Sequence, residues 1–291
     1  MILVTGATGK LGRLIVQGLL EKGIAASSLA ALARTPPKAS DLASRGVQVR
    51  QGDYADPKSL EVALGGVDRL MFVSSSELGA RAPGHRNVIA AAKKAGVKHI
   101  LYTSVLNADR SPMELAADHR STEAALRESG VPFTLLRNGW YFENYTENLG
   151  SALEHGVVLG AAGDGRYAMA TRKDYADAAV AVLTSTRDEG GKIYELGGAP
   201  SVSLSELALE VGRQANTSVA YVNLPVAEYE QKLQSFGLPP FIAHLLADSD
   251  AAAARGFLDT SSGDLQRLIG RVTTSLADAV RAALSTRTQS H

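Results

Sequence analysis

Thr5-Gly6-Ala7-Thr8-Gly9-Lys10-Leu11-Gly12 decides how this chain is read. It follows a short apolar run, Ile2–Thr5, and leads into Leu11–Glu21, where Leu11, Leu14, Ile15, Leu19 and Leu20 share one side of a helix. A glycine-rich turn between a buried strand and a helix is where open α/β sheets hold a dinucleotide pyrophosphate on the helix N-terminus. Each glycine has its own reason. Gly6 permits the tight turn, Gly9 lets phosphate approach the backbone, and Gly12 lets the helix close on the sheet. The spacing alone is a weak signal in a chain with 28 glycines, and its place after the first strand makes it specific. Cofactor contacts are therefore expected from Gly6, Ala7, Thr8, Gly9, Lys10, Leu11 and Gly12.

Working outward, apolar runs at Leu29–Ala33, Val47–Gly52, Leu70–Ser74, Ile100–Ser104 and Phe133–Arg137 alternate with helical patterns. Those patterns open at Pro36-Pro37, run from Pro83 to Ala95 and from Glu114 to Ser129, and include Asp56-Pro57, an N-cap followed by proline at the first helical position. Such alternation specifies a Rossmann-type, doubly wound parallel sheet, an α/β fold. The rhythm breaks after Arg137. Val157–Leu159 and Tyr167–Ala170 flank Gly163-Asp164-Gly165 and are expected to form a hairpin. Lys173–Thr184 reads as a helix, Lys192–Leu196 as a strand returning to the main sheet, and the chain from Ser203 as mostly helical with a break at Pro239-Pro240. The expected organisation is a nucleotide-binding domain over 1–137, rejoined by 171–197, and a smaller, mostly helical substrate lobe over 138–170 and 198–291.

The chain has 291 residues, with 30 Lys and Arg against 30 Asp and Glu. A formal net charge of zero lacks the basic field that nucleic-acid binding needs, so nucleic acid is not expected as a partner. With no cysteine, disulfides, thiolate metal sites, iron–sulfur clusters and cysteine nucleophiles are excluded. No metal is expected. No apolar run approaches the roughly 20 residues that cross a bilayer, and Met1 leads directly into a strand. The expectation is a cytoplasmic protein without membrane insertion.

The end of the second strand reads Ala33-Arg34-Thr35, without the acid that accepts the ribose 2′-hydroxyl of NAD. A guanidinium there pairs with a 2′-phosphate, so Arg34 points to NADPH. Asp53, after the third strand, is a candidate for the adenine amino group, with a turn residue as the alternative. Ser74, Ser75 and Ser76 end the fourth strand and leave room for the cofactor.

Gly6–Gly12, Arg34, Ser74–Ser76, Tyr102-Thr103-Ser104 and Leu136-Arg137-Asn138-Gly139-Trp140-Tyr141 together resemble the atypical short-chain dehydrogenases of the NmrA-like group. Within it, Gly52–Tyr54, Ser74–Glu77, Arg81-Ala82-Pro83 through Val88 and Thr171–Tyr175 are most similar to the type 2 NADPH:quinone oxidoreductases. The resemblance covers nearly the whole chain. It implies a flavin-free enzyme passing hydride from NADPH to a quinone, with cofactor contacts also from Asn138, Gly139, Trp140, Tyr141 and Arg172. A sister group reduces triphenylmethane dyes, and the founder group includes regulators that bind NADP without catalysis. Both remain alternative readings, and a homo-oligomer is left open.

Most short-chain dehydrogenases use a Tyr-x-x-x-Lys pair as acid and base. Tyr54 and Lys58 have the spacing but straddle the Asp56-Pro57 helix start, so they do not share a helical face. The expected place for the pair reads Ala117-Asp118-His119-Arg120-Ser121-Thr122-Glu123, with neither tyrosine nor lysine. Alcohol oxidation needs that pair, whereas a quinone becomes aromatic on accepting hydride and takes its proton from water. His119 reads as a packing histidine ahead of a proton donor, and Ser104 as a strand-end serine ahead of a catalytic helper, so no catalytic residue is assigned. Trp140, Tyr141, Phe142 and Tyr145 crowd the exit of the sixth strand and include the only tryptophan. They are the expected walls for a flat quinone, the alternative being cement between lobes. Asn138 offers a paired donor and acceptor to the nicotinamide carboxamide. Phe236, Pro239, Pro240 and Phe241 are candidates for a lid.

Overall fold

A computed structural model describes residues 1–77, 81–147 and 149–288. Strands and helices alternate through the first half: β1 (Ile2–Val4), α1 (Lys10–Glu21), β2 (Leu29–Ala33), α2 (Ser40–Ser44), β3 (Gln48–Gln51), α3 (Pro57–Ala63), β4 (Arg69–Phe72), α4 (Arg81–Lys94), β5 (His99–Val105), α5 (Glu114–Ser129) and β6 (Phe133–Asn138). There follow α6 (Glu143–Thr146), α7 (Leu149–His155), β7 (Val157–Gly160), α8 (Arg172–Leu183), β8 (Ile193–Leu196), α9 (Leu204–Ala215), β9 (Ala220–Asn223), α10 (Val226–Ser235), α11 (Pro240–Ala253), α12 (Asp264–Ile269) and α13 (Leu276–Thr288). The main sheet has seven strands in the order β3-β2-β1-β4-β5-β6-β8. Leu3 of β1 lies beside Ala30 of β2 on one side and Leu70 of β4 on the other, both in parallel register. Strand order reverses between β1 and β4, and an open parallel sheet binds ligands at such a switch point.

Two compact units emerge. The first comprises 1–105, 118–137 and 172–194; the second comprises 106–117, 138–171 and 195–291. In the first unit, alternate strand residues Leu3, Leu32, Leu70, Phe72, Ile100 and Leu135 form one core with Leu60, Val88 and Leu126 from α3, α4 and α5. Val4, Ala31 and Met71 point the other way, by the two-residue period of a strand, and are equally buried. On that face α1 packs against α8, where a Cβ on Gly18 would meet Val180 at 3.0 Å. Burial on both faces explains why β2 is an unbroken apolar run. Asp56 caps α3 as its sequence suggests, its carboxylate accepting from the Lys58 amide at 3.0 Å with Pro57 next. The Pro36-Pro37 segment forms a 3₁₀ turn, Pro36–Ala39, before the short α2.

Beneath the sheet's β5–β6 end lies a buried charge network. Arg137 donates to both oxygens of Glu123, at 2.9 and 2.8 Å, and the Ser104 hydroxyl donates to the same carboxylate at 2.7 Å. A buried pair survives only with its hydrogen bonds complete, and Ser104 completes this one.

The second unit departs from the sequence reading in its strand pairing, and it also takes in 106–117. Val157–Leu159 and Tyr167–Ala170 do not form a hairpin. β7 instead pairs in parallel with β9, Val158 beside Tyr221. Two contacts hold the following segment elsewhere. A Cβ on Gly165 would stand 2.6 Å from the Ala253 backbone, so that glycine is pressed against the end of α11. The Tyr167 hydroxyl donates to Asp250 of α11 at 2.6 Å. Tyr167 also exchanges backbone hydrogen bonds with Val202. The helical remainder is well signposted: Ser203 and Glu206 form a capping box at α9, and Pro239-Pro240 opens α11. β8 does return to the main sheet, as its sequence suggests.

Candidate cofactor-binding site

A cleft of about 540 Å³ opens at the C-terminal ends of β1 to β4, at the reversal of strand order. Among the residues singled out by sequence, Gly6, Thr8, Gly9, Lys10, Leu11, Gly12, Arg34, Asp53, Ser74, Ser75, Ser76 and Arg172 line it. Ala7 is fully buried behind the loop.

The loop geometry gives each glycine a separate duty. Gly6 has φ +57°, and the Gly9 amide donates to its carbonyl at 2.9 Å. A Cβ on Gly12 would lie 2.3 Å from that same oxygen, so Gly12 is required by packing within the loop itself. Gly9 is different. Its φ of −83° suits any residue, and a Cβ would meet the Gly6 oxygen at 3.2 Å, tight but short of a collision. Its bareness is best used by a ligand. No side chain caps α1, and its first turn contains no acid. The orphan amides and positive end of a twelve-residue helix thus face the cleft ready for an anion, which is the fit a pyrophosphate requires.

The far ends of β2 and β3 supply the remainder. Arg34 is exposed and pairs with the carboxylate of Glu77, another lining residue. Asp53 accepts from the Ala55 amide at 2.9 Å, the turn role weighed for it, while still lining the cleft. Tyr54 closes the floor. Its hydroxyl donates to the Val73 carbonyl at 2.7 Å and lies against the Thr5 hydroxyl, tying the ends of β1 and β4 together. Burial pushes this phenol well above its ordinary pKa. Tyr54 therefore acts as structure, and Lys58 sits beyond the Asp56 cap.

Sequence reasoning missed what holds the serine loop. The Ser74 amide donates to Thr103 Oγ1 at 2.8 Å, and the Ser75 amide donates to His85 Nε2 at 3.0 Å. Because Nε2 accepts, the His85 proton sits on Nδ1, facing Thr122 Oγ1 at 2.8 Å. Arg81 Nε donates to the Ser75 carbonyl at 2.7 Å. Burial, with Arg81 nearby, lowers the His85 pKa to about 3, so the ring stays a neutral acceptor. His119 is also buried, with Nδ1 2.7 Å from the Tyr102 hydroxyl, and burial holds its pKa well below the ordinary value. It is a packing histidine. His85 lies in the Arg81–Val88 stretch that carries the family likeness, but its role was not marked, since one histidine in a helix carries no periodic signal.

The second unit contains Asn138 and the aromatic cluster. Asn138 is buried, its Nδ2 donating to the Tyr141 hydroxyl at 3.4 Å, while its Oδ1 has no hydrogen-bond partner among the described residues. Gly139 donates its amide to the Leu196 carbonyl at 2.7 Å. Trp140 and Phe142 are buried, whereas Tyr141 and Tyr145 are half-buried. Tyr145 is turned inward. Its ring meets Tyr167 edge-on at 6.2 Å, and its hydroxyl donates to Asp250 at 3.4 Å. Phe142 touches two clefts of this unit, of about 460 and 550 Å³. Phe236 and Phe241 are exposed.

Asp250, which sequence did not single out, is 2% exposed and also accepts from the Ala161 amide at 2.8 Å. Burial raises its pKa from 3.8 to about 6 despite these donors. The folded protein thus binds this proton more tightly than the unfolded chain. The cost of the buried charge is present in full above about pH 6 and vanishes below pH 3.8. Asp250→Asn should remove it. In thermal unfolding from pH 7 to 4, wild type should gain about 2 kcal/mol relative to the variant. A constant difference would assign Asp250 an ordinary pKa.

Residues 6–186 match the model of an NAD(P)H-binding family. The chain is 51% identical to quinone oxidoreductase 2 of Escherichia coli, covering 96% of this chain and 97% of that one. A crystal structure of the NADPH-dependent Escherichia coli quinone oxidoreductase complexed with NADPH superposes with a TM-score of 0.95 at 50% identity, covering 98% of this chain and 100% of that one. Triphenylmethane reductase of Citrobacter sp., complexed with NADP(H), gives 0.93 at 38% identity, covering 97% and 100%. This chain belongs to the NAD(P)H-binding family, in the NmrA-like group of atypical short-chain dehydrogenases.

Proposed function

We propose that this protein is an NADPH-dependent quinone reductase of the cytoplasm, passing hydride directly to its acceptor without flavin or metal. The observation that carries the reading is the uncapped, glycine-walled N-terminus of α1 sharing one cleft with Arg34. Together they provide an anion site for a pyrophosphate and a guanidinium for a 2′-phosphate. The likeness to quinone oxidoreductase 2 over nearly the whole chain supplies the acceptor class. Among the described residues no helix is long and apolar enough to cross a membrane.

When bound, reduced nicotinamide supplies a hydride, and quinone, hydride and one proton together make hydroquinone. The chain binds and orients. Gly6 to Gly12 receive the pyrophosphate, Arg34 takes the 2′-phosphate, and Ser74 to Ser76 pack beside the cofactor, with Arg172 at the cleft wall. In the second unit Asn138, whose Oδ1 lacks a hydrogen-bond partner among the described residues, is the candidate for the carboxamide, and Tyr141 and Phe142 are the candidates for the quinone. Trp140 and Tyr145 serve chiefly to hold that segment in place. Ser104 spends its proton on Glu123, and His119 is buried against Tyr102, so neither is placed to protonate the product. Water suits that step, because hydroquinone anion is a stable product of the transfer. Catalysis then rests on proximity and orientation. Reduction of a cationic dye is the second reading, favoured by the likeness to the Citrobacter reductase.

Three measurements test the proposal. Gly9→Val should abolish NADPH binding in calorimetry while circular dichroism stays unchanged, because the φ of −83° suits any residue and a Cβ would press only on the Gly6 oxygen, at 3.2 Å. Unchanged affinity would remove the phosphate loop from the site. Arg34→Ala should weaken NADPH about 10-fold, toward the low end for a charge-assisted contact because Glu77 already engages the guanidinium, and NADH far less. Equal weakening of both would reduce Arg34 to a stacking role. Initial-rate lines at several fixed quinone concentrations should intersect, since both substrates must be present together. Parallel lines would reveal a stored-electron relay and overturn direct transfer.

A further inference from the structure

Arg34 follows β2 and Glu77 follows β4, yet the two meet across the mouth of the cleft. Their side chains are 63% and 50% exposed, so the pair is open to solvent and exchangeable. The Glu77 backbone is anchored. Its amide donates to Ser75 Oγ at 3.0 Å, and Ser75 is itself fixed by His85 and Arg81. The carboxylate therefore reaches Arg34 from a firm base. A guanidinium presents one planar fork of donors, matched equally by a carboxylate and by a phosphate.

From this geometry we infer that Glu77 is an internal competitor for the ribose 2′-phosphate and sets the preference between NADPH and NADH. The inference rests on the NADPH reading of Arg34. A 2′-phosphate can take the guanidinium only if the carboxylate leaves it, and a displaced Glu77, still anchored at Ser75, remains a negative charge beside a phosphate dianion. Asp53 in the same cleft adds a second acid. NADH carries no such phosphate and leaves the pair closed. Glu77 thus opposes one cofactor and is indifferent to the other, holding the preference below what Arg34 alone would give.

Glu77→Gln keeps the shape and a hydrogen-bonding oxygen but removes the charge, and its exposed position makes a folding defect an unsuitable explanation for any change. Calorimetric titration with NADPH and NADH should show NADPH tightened about two- to five-fold, the range an exposed ion pair supplies, with NADH unchanged. The gain should shrink at high ionic strength. In an Arg34→Ala background the same substitution should no longer discriminate between the cofactors. Tightening of both cofactors alike, no change for NADPH, or discrimination that persists without Arg34 would each overturn the competitor role. Failure of the underlying reading looks different: wild type would then show no preference for NADPH at all. Wild-type preference with a silent Glu77→Gln leaves the NADPH reading standing and removes only this inference.

Discussion

A Cβ on Gly12 would stand 2.3 Å from the Gly6 carbonyl oxygen, so α1 starts closer to the end of β1 than any residue with a side chain permits. The site depends on that approach. It places the orphan amides of α1 at the reversal of strand order, where neighbouring loops diverge and leave space. Gly18, two turns on, repeats the device against Val180 and brings α8 onto the same face. The positive end of the helix is then offered to a ligand because no side chain competes for it.

The opposite wall is held mainly by neutral polar groups, with Arg81 the charged exception at the Ser75 carbonyl. Tyr54 bridges β1 and β4, His85 accepts from the Ser75 amide, and Thr103 accepts from the Ser74 amide. These bonds satisfy amides that leave the sheet at the end of β4, where ladder pairing stops. Burial keeps the two histidines uncharged and the phenols protonated, so the wall keeps its form across the physiological pH range. Where other short-chain dehydrogenases keep a tyrosine and lysine for proton transfer, this α5 carries His119 and Thr122, which face inward to this scaffold. The region that serves acid–base chemistry elsewhere here supports the wall.

What the sequence made legible was local. The glycine loop, the Asp56-Pro57 cap, the limits Glu114 and Ser129 of α5 and the burial of β2 all follow from spacing or cap chemistry within a dozen residues. The glycine loop, Arg34, Asp53 and the serines that line the cleft were nameable because each strand end in this topology has a set place, whereas Tyr54 and Glu77 on the same lining were not named as contacts. The parallel pair β7–β9 was not. Its strands are some 60 residues apart, and the Gly163-Asp164-Gly165 stretch imitates a hairpin turn while Gly165 and Tyr167 are pinned to α11. Asp250 was hidden in an alanine-rich helix because its partners, Tyr167, Tyr145 and Ala161, lie 83 to 105 residues away. Assignment of 106–117 to the second unit rests likewise on distant bonds, with the Asn107 side chain donating to the Phe257 and Asp259 carbonyls.

The same division between local and distant explains how charge is used. The chain as a whole is neutral, so it lacks a broad field with which to draw an anionic cofactor. Recognition must come from short-range contacts inside the cleft. Besides Lys10 and Arg172 on its lining, two kinds stand out there. The helix amides are fixed dipoles that neither titrate nor move, and they serve any pyrophosphate. Arg34 is an exposed charge already engaged with Glu77, and on the proposed reading it addresses what distinguishes one dinucleotide from another. On the proposed reading, fixed dipoles provide the common affinity, and a small balance between one guanidinium and a neighbouring carboxylate provides the discrimination. An exposed pair of this kind is weak and sensitive to salt. If that reading holds, cofactor choice changes by substitution at two surface positions without disturbing the packed loop beneath them.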